Sequence, residues 1–214
     1  MIPVKPVVSV IVAGFGVREA SWDRLRSCLQ AVAAQDIAEP VEVVLCEMPE
    51  LHGEVPEDIQ DTLPGLRILR CATGDPCVRK TLAAQNATAP IVAFLDADCM
   101  PQAGWLRSIL DTFRYYPEVA VVSGQMAGEK IGWLRSLWPV PTTAGNNVAF
   151  RREAYLDCPF PEGSGANAVR LQSVALRRAR YVLRMEPAML LMRDRRGLPQ
   201  AASVQVGYST VATR

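Results

Sequence analysis

The chain is poor in the residues and runs that would settle its class at a glance. Six cysteines (Cys28, Cys46, Cys71, Cys77, Cys99 and Cys158) are scattered with no C-x-x-C pair among them, so neither a zinc knuckle nor a disulfide framework is indicated. They read as buried thiols in a reducing, cytoplasmic compartment. Histidine occurs once, at His52, in an acidic stretch where solvation is its expected state. No charge of one sign dominates: 23 lysines and arginines stand against 22 aspartates and glutamates, which gives no reason to expect a nucleic-acid partner. No run approaches the roughly 20 apolar residues of a spanning helix, and Met1 to Pro6 lacks the charged and apolar segments of a secretory signal. The expectation is a cytoplasmic chain that is soluble, or at most peripheral at the inner membrane face.

What the sequence does contain is alternation. Half of its 214 residues are apolar, enough for one sizeable core. Val7 to Ala13 is a nearly continuous β-branched run, followed by Gly14-Phe15-Gly16 and by Ser21, a good N-cap ahead of Trp22, Leu25, Leu29 and Val32. Val41 to Leu45, Leu66 to Leu69, Ile91 to Leu95 and Val119 to Ser123 read as further strands, and Val78 to Ala87 and the stretch around Trp105, Ile109 and Phe113 as helices. Met126 to Ala144 breaks the rhythm and reads as a crossover and surface segment. Asn147 to Phe150 is a further strand, Ala166 to Ala179 a helix with Leu171, Val174 and Ala175 inward, and Tyr181 to Met185 a final strand before Pro187. Apolar strands alternating with amphipathic helices predict an α/β domain, a mostly parallel central sheet flanked by helices.

In an open α/β sheet, ligands bind beyond the carboxyl ends of the strands, where loops converge and helix N-termini point. Asp96-Ala97-Asp98 directly follows the run Ile91-Val92-Ala93-Phe94-Leu95 and so falls at such an end. Two carboxylates one residue apart can share a task there, one reaching a metal and the other a ribose hydroxyl or a metal-bound water. Magnesium or manganese accepts carboxylate, phosphate and water oxygens together. The plainer reading is that the pair caps a helix beginning near Gly104 or solvates a turn.

Ala83-Ala84-Gln85-Asn86-Ala87 followed by the strand and Asp96-Ala97-Asp98 resembles the glycosyltransferase family 2 type of GT-A domain, over roughly Val8 to Pro187. Val8 to Val12 resembles the family's opening strand, and Ala144 to Arg152 its later asparagine-containing strand with a basic exit. The resemblance implies one domain over about 1–193, with a donor half near 7–123, an acceptor half near 124–193 and a tail at 194–214. It implies a nucleoside-diphosphate sugar as donor, Mg2+ or Mn2+ as cofactor at Asp98, and inverting transfer to a saccharide or lipid-linked acceptor. Ala13 and Phe15 would line the base and ribose pocket, Glu47 would face the base, Lys80 or Arg79 would pair with phosphate, and Asn86 and Asp96 would complete the donor contacts.

The sequence departs from the family pattern on the acceptor side. Inverting transfer needs a base, and the family's Glu-Asp pair falls at about Ala168-Val169 here, neither of which accepts a proton. Leu190 to Arg193 occupies the region where the family often has a metal-binding histidine. Two readings follow: an active transferase in which Glu162 or Asp157 serves as base, or a catalytically impaired domain that binds nucleotide-sugar or a protein partner. Rival classes are weaker. Ala13 to Arg18 faintly resembles the glycine-rich loop of sugar-nucleotide pyrophosphorylases but lacks the proline-lysine element that should follow. A dinucleotide fingerprint needs glycine where Glu19 stands. An interaction module would use the apolar stripe Trp133, Leu134, Leu137 and Trp138, with Lys130 and Arg135 nearby, against a partner or a membrane surface. Arg177, Arg178, Arg180 and Arg184, with Arg193, Arg195 and Arg196 beyond, would attract a phosphorylated or lipid-linked acceptor or simply face solvent.

Overall fold

A computed structural model describes residues 5–13, 22–48, 53–63, 65–128 and 145–193. The elements, in chain order, are β1 (Val8–Val12), α1 (Trp22–Ala33), β2 (Val41–Glu47), α2 (Glu57–Thr62), β3 (Arg67–Arg70), α3 (Pro76–Asn86), β4 (Ile91–Leu95), β5 (Cys99–Pro101), α4 (Trp105–Tyr115), β6 (Val119–Met126), β7 (Asn147–Arg151), α5 (Arg152–Asp157), α6 (Ala168–Arg178) and β8 (Val182–Arg193). The strands form one sheet in the order β3-β2-β1-β4-β7-β6-β8-β5. β1 to β4 pair in parallel, as does β6 with β8, whereas β7 runs antiparallel to both its neighbours and β5 antiparallel to β8. The sheet is therefore mixed, and parallel order holds chiefly in its first half.

The strand interiors are apolar on both faces because helices cover both. Val8, Val10, Val12, Val43, Leu45, Ala93 and Leu95 point to one side, where α1 contributes Leu25 and Leu29 and α4 contributes Trp105, Ile109 and Phe113. Ile11, Val44, Val92 and Phe94 point to the other, against Ala83 and Ala84 of α3, Tyr155 of α5 and Leu176 of α6. Fully burying such a side chain contributes about 1.5–3 kcal/mol, which is why near-continuous β-branched runs were legible as strands.

One polar cluster ties the amino end of this core together. Glu42 is buried on β2 and accepts from the Ser9 hydroxyl, from the Arg67 guanidinium and from the amide of Thr88 at 2.8 Å. Burial works to raise its pKa, but these donors outweigh it and hold the carboxyl below its usual value.

Three expectations are corrected. On α6 the buried positions are Ala168, Gln172, Ser173 and Leu176, whereas Leu171 and Val174 are 39% and 37% exposed; Ala175 packs on the core only in part. The Gln172 amide donates to the carbonyl of Cys158 at 3.0 Å, so a polar residue with a partner occupies the inward stripe. The final strand does not stop before Pro187: the ladder with β6 resumes after a register shift, from Ser123↔Met185 to Gln125↔Leu190, and the proline sits in that irregularity, where it need not donate. The helix expected over Val78 to Ala87 starts at Pro76 because Asp75 caps it, its carboxylate accepting from the amide of Cys77 at 2.8 Å. Phe15, His52, the segment over 129–144 with Trp133 and Trp138, and Arg195 and Arg196 lie outside the described residues.

Candidate functional site

The parallel register brings three of the anticipated positions to one edge. Val12 stands opposite both Leu45 and Leu95, so Ala13, Cys46-Glu47 and Asp96 emerge side by side at the carboxyl ends of β1, β2 and β4. β7 runs the other way, and its first residue Asn147 pairs with Leu95, which delivers Gly145 and Asn146 to the same edge. The N-terminus of α3 is held there too: Asp75 accepts from the amides of Cys77 and of Gly163, at 2.8 and 2.7 Å. The Gly163 amide, ahead of the Cys77 contacts, keeps this carboxyl below its ordinary pKa.

A cavity of about 200 Å3 opens at this junction, lined by Cys77, Lys80, Asp96, Asn146, Phe160 and Val169, among others. That is less than the ~300–1,000 Å3 of a whole ligand cleft, room for a diphosphate and little more. Lys80 is the cation inside it. Its ammonium donates to Asp96 Oδ1 at 3.2 Å and to the carbonyl of Gly145 at 2.7 Å, and lies 5.6 Å from the centre of the Phe160 ring. Phe160 belongs to an aromatic cluster with Phe94, Phe150 and Tyr155, whose closest rings are 4.6 Å apart. Phe160 is the member of this cluster that reaches the cavity and gives its lining an aromatic face.

Asp98 faces a second cation. Antiparallel pairing of β5 with β8 sets Cys99 opposite Arg193, and Arg193 Nε comes within 3.2 Å of Asp98 Oδ2. The Arg193 side chain is 46% exposed and that of Asp98 21%, so the pair contributes roughly 0–1 kcal/mol and is easily exchanged. Beneath it, the thiol of Cys99 donates to Asp98 Oδ1 at 3.3 Å. Burial, with the charges of Asp98 and Asp96, pushes Cys99 up to about 12, and Cys28 is likewise raised. Both thiols are thus neutral supports.

Other anticipated residues fare differently. Glu47 is at the right edge but has no exposed surface; burial lifts its carboxyl to about 7 against the opposing charge of buried Arg79. Arg79 therefore serves Glu47 inside the fold, and Lys80 is the cation at the cavity. Asn86 is not brought to the site. It closes α3 at the amino end of β4, its amide donating to the carbonyl of Leu82 at 2.9 Å. Glu162 is exposed on the loop between Phe160 and Gly165, both of which line the cavity, while Asp157 accepts from the Tyr181 hydroxyl at 3.2 Å. Ala168 and Val169 form part of the cavity wall. The basic exit Arg151-Arg152 caps helices: Arg151 donates to the carbonyls of Phe113, Pro117 and Val119, and Arg152 to those of Ala84 and Gln85.

One feature had no clear signal in the sequence, and another was visible there as part of an asparagine-containing strand but without its structural role. Phe160, in a proline-flanked turn, is indistinguishable there from a loop aromatic. Asn147 is buried at the start of β7, accepting from the Trp105 indole at 2.9 Å and donating to the carbonyls of Gln125 and Met189 at 2.9 and 3.0 Å. Gly124 lies beside it, and a Cβ there would stand 2.0 Å from the Met189 oxygen. Among the described residues no group of three or more histidine, cysteine, aspartate or glutamate side chains is gathered to hold a metal, and no helix is long and apolar enough to cross a membrane.

The fold has counterparts among known proteins. A mannosyltransferase from Pyrobaculum calidifontis, solved with GDP-Man and Mn2+, superposes with a TM-score of 0.68 at 22% identity over 90% of this chain and 59% of its own. S. aureus TarS 1-349 with UDP-GlcNAc superposes with a TM-score of 0.65 at 18% identity, over 92% and 61%. At these identities the likeness establishes a GT-A fold. Among curated proteins, the glucosyl-dolichyl phosphate glucuronosyltransferase of Haloferax volcanii is 22% identical over 174 residues, 70% of this chain and 54% of that protein. The chain thus spans about half the length of this relative. The sequence profile described as glycosyl transferase family 2 matches residues 9–176, most of the chain and every element from β1 to α6 that builds the cavity, and the chain therefore belongs to glycosyl transferase family 2.

Proposed function

We propose that the chain binds a nucleoside-diphosphate sugar at the Lys80, Asp96 and Asp98 edge and transfers the sugar, with inversion, to a saccharide or lipid-linked acceptor. The observation that carries this reading is the convergence of the buried Lys80 ammonium and the Asp96 carboxylate on a cavity at the carboxyl ends of parallel strands, with the Asp98–Arg193 pair close by in the chain. The Haloferax relative, by its name, acts on a dolichyl phosphate-linked sugar, which favours a lipid-linked acceptor and contact with the cytoplasmic membrane face.

Two carboxylates that are neither enclosed nor hydrogen-bonded on every lone pair fit Mg2+ or Mn2+, ions that take one or two carboxylates and complete their shell with phosphate and water oxygens. Asp98 would hold the ion and Asp96 would assist. Bound there, it would neutralise the departing diphosphate. The rest is the work of the chain. Lys80, fixed by Asp96 and the Gly145 carbonyl, presents a positive charge to phosphate. Phe160 and Val169 exclude water from the cavity side. Glu162, on the loop that borders the cavity, takes the proton of the attacking hydroxyl. Attack on the anomeric carbon breaks its bond to the diphosphate oxygen, which leaves with the electron pair, in one displacement that inverts the centre.

A second reading, binding without transfer, is favoured by one observation: the cavity wall carries Ala168 and Val169 where a base is needed. A donor-hydrolysis screen with several nucleotide-sugars separates the two. Turnover that disappears in Asp98→Ala supports the transferase, and metal-dependent binding without turnover supports the receptor. Calorimetry that finds no nucleoside diphosphate bound by the folded protein with Mn2+ present would sink both.

A further inference from the structure

The four charged side chains at the strand edge form two cation–carboxylate pairs, Lys80 with Asp96 and Arg193 with Asp98. Two positive and two negative groups sum to zero. A divalent ion entering alone leaves the cluster with an excess of about two positive charges, and a diphosphate entering alone leaves about two negative ones, each unfavourable in a partly buried site. Together they restore balance. The question is which side chain moves.

Lys80 is anchored by two partners and only 7% exposed. Arg193 is different. It reaches Asp98 from the last described residue of β8, half in solvent, and a guanidinium carries five N–H donors that suit phosphate oxygens as well as carboxylate. We propose that Arg193 is an exchangeable counter-cation: it neutralises Asp98 in the free site and moves onto the donor diphosphate when a divalent ion takes over Asp98. Arg193 thereby makes metal and donor binding mutually dependent. The inference rests on the donor-binding reading above and assigns Arg193 a diphosphate-binding role.

The test compares wild type with Arg193→Ala and Arg193→Lys. Free Mn2+ is measured by electron paramagnetic resonance without nucleotide, and uridine or guanosine diphosphate is titrated calorimetrically with saturating Mn2+. With the exposed pair removed, Arg193→Ala should bind Mn2+ alone about two- to five-fold more tightly, and should bind the nucleoside diphosphate roughly ten-fold more weakly for want of a charge-assisted contact. Arg193→Lys, which keeps the charge without the fork, should fall between on both. Mn2+ affinity that is unchanged or reduced in Arg193→Ala overturns the proposal, as does undiminished nucleotide affinity. Failure of wild type to bind either nucleotide refutes the donor-binding reading instead, and the Mn2+ measurement still decides whether Arg193 competes for Asp98.

Discussion

Lys80 and Asp96 come from different elements, one a turn inside α3 and the other just past β4, yet their charged ends lie 3.2 Å apart and the same ammonium binds the Gly145 carbonyl at 2.7 Å. One side chain thus joins a helix, a parallel strand and the entry to the antiparallel strand β7. A buried cation with two oxygen partners is held in place before any ligand arrives, and such preorganisation is what a phosphate site requires.

Replacing Lys80 with methionine keeps most of the stem and removes the charge. Nucleoside diphosphate affinity is predicted to fall at least about ten-fold, and stability by roughly 1–3 kcal/mol because Asp96 and the Gly145 carbonyl lose a charged donor. Calorimetry and urea denaturation read the two effects. Full nucleotide affinity in a folded Lys80→Met protein would contradict the assigned role.

The base can be located by loss and rescue. Glu162→Gln is predicted to lower donor turnover about 100-fold, within the usual range for a general base, while leaving nucleotide binding near its wild-type value. Val169→Asp in that background places a carboxylate on the cavity wall and should recover part of the lost rate. Turnover that is indifferent to Glu162→Gln would remove this residue from the mechanism.

Glu47 gives a pH signature. Burial raises its carboxyl to about 7, with Arg79 opposing in part. An unfolded glutamate titrates near 4.3, so between about pH 4.3 and 7 the folded chain keeps a proton that the unfolded chain has released. This contribution to stability is full below that window and is lost as the pH rises through it. Urea midpoints at pH 5, 6, 7 and 8 should therefore decline across the series in wild type, and decline less in Glu47→Gln. Equal slopes for the two proteins would show that Glu47 does not titrate there.

Much of this was legible in the sequence because it depends on local rules. Strands buried on both faces declare themselves as β-branched runs, and a D-x-D directly after one falls at the carboxyl edge of the sheet. What stayed hidden depends on distance along the chain. The reversal of β7 follows a segment with no periodic pattern, and the inward turn of Gln172 on α6 rests on a carbonyl 14 residues away. Arg193 was visible as one of a group of arginines and as the end of the stretch that stands where the family often has a histidine, but not as the partner of Asp98, which is brought close by an antiparallel pairing that no spacing announces. Asn86 was misplaced for the opposite reason: its motif was read in one dimension, whereas α3 returns it to the far end of the sheet.

The strand order intermixes early and late portions of the chain. β5, from before position 123, caps the outer rim by pairing with β8, and central β4 rests on β7. A cut at that position would leave open ladders on both pieces, so the two fragments would be expected to reassemble with each other rather than persist as autonomous units. The portions of the chain before and after that position are thus interleaved within one sheet, each supplying the other's pairing partners.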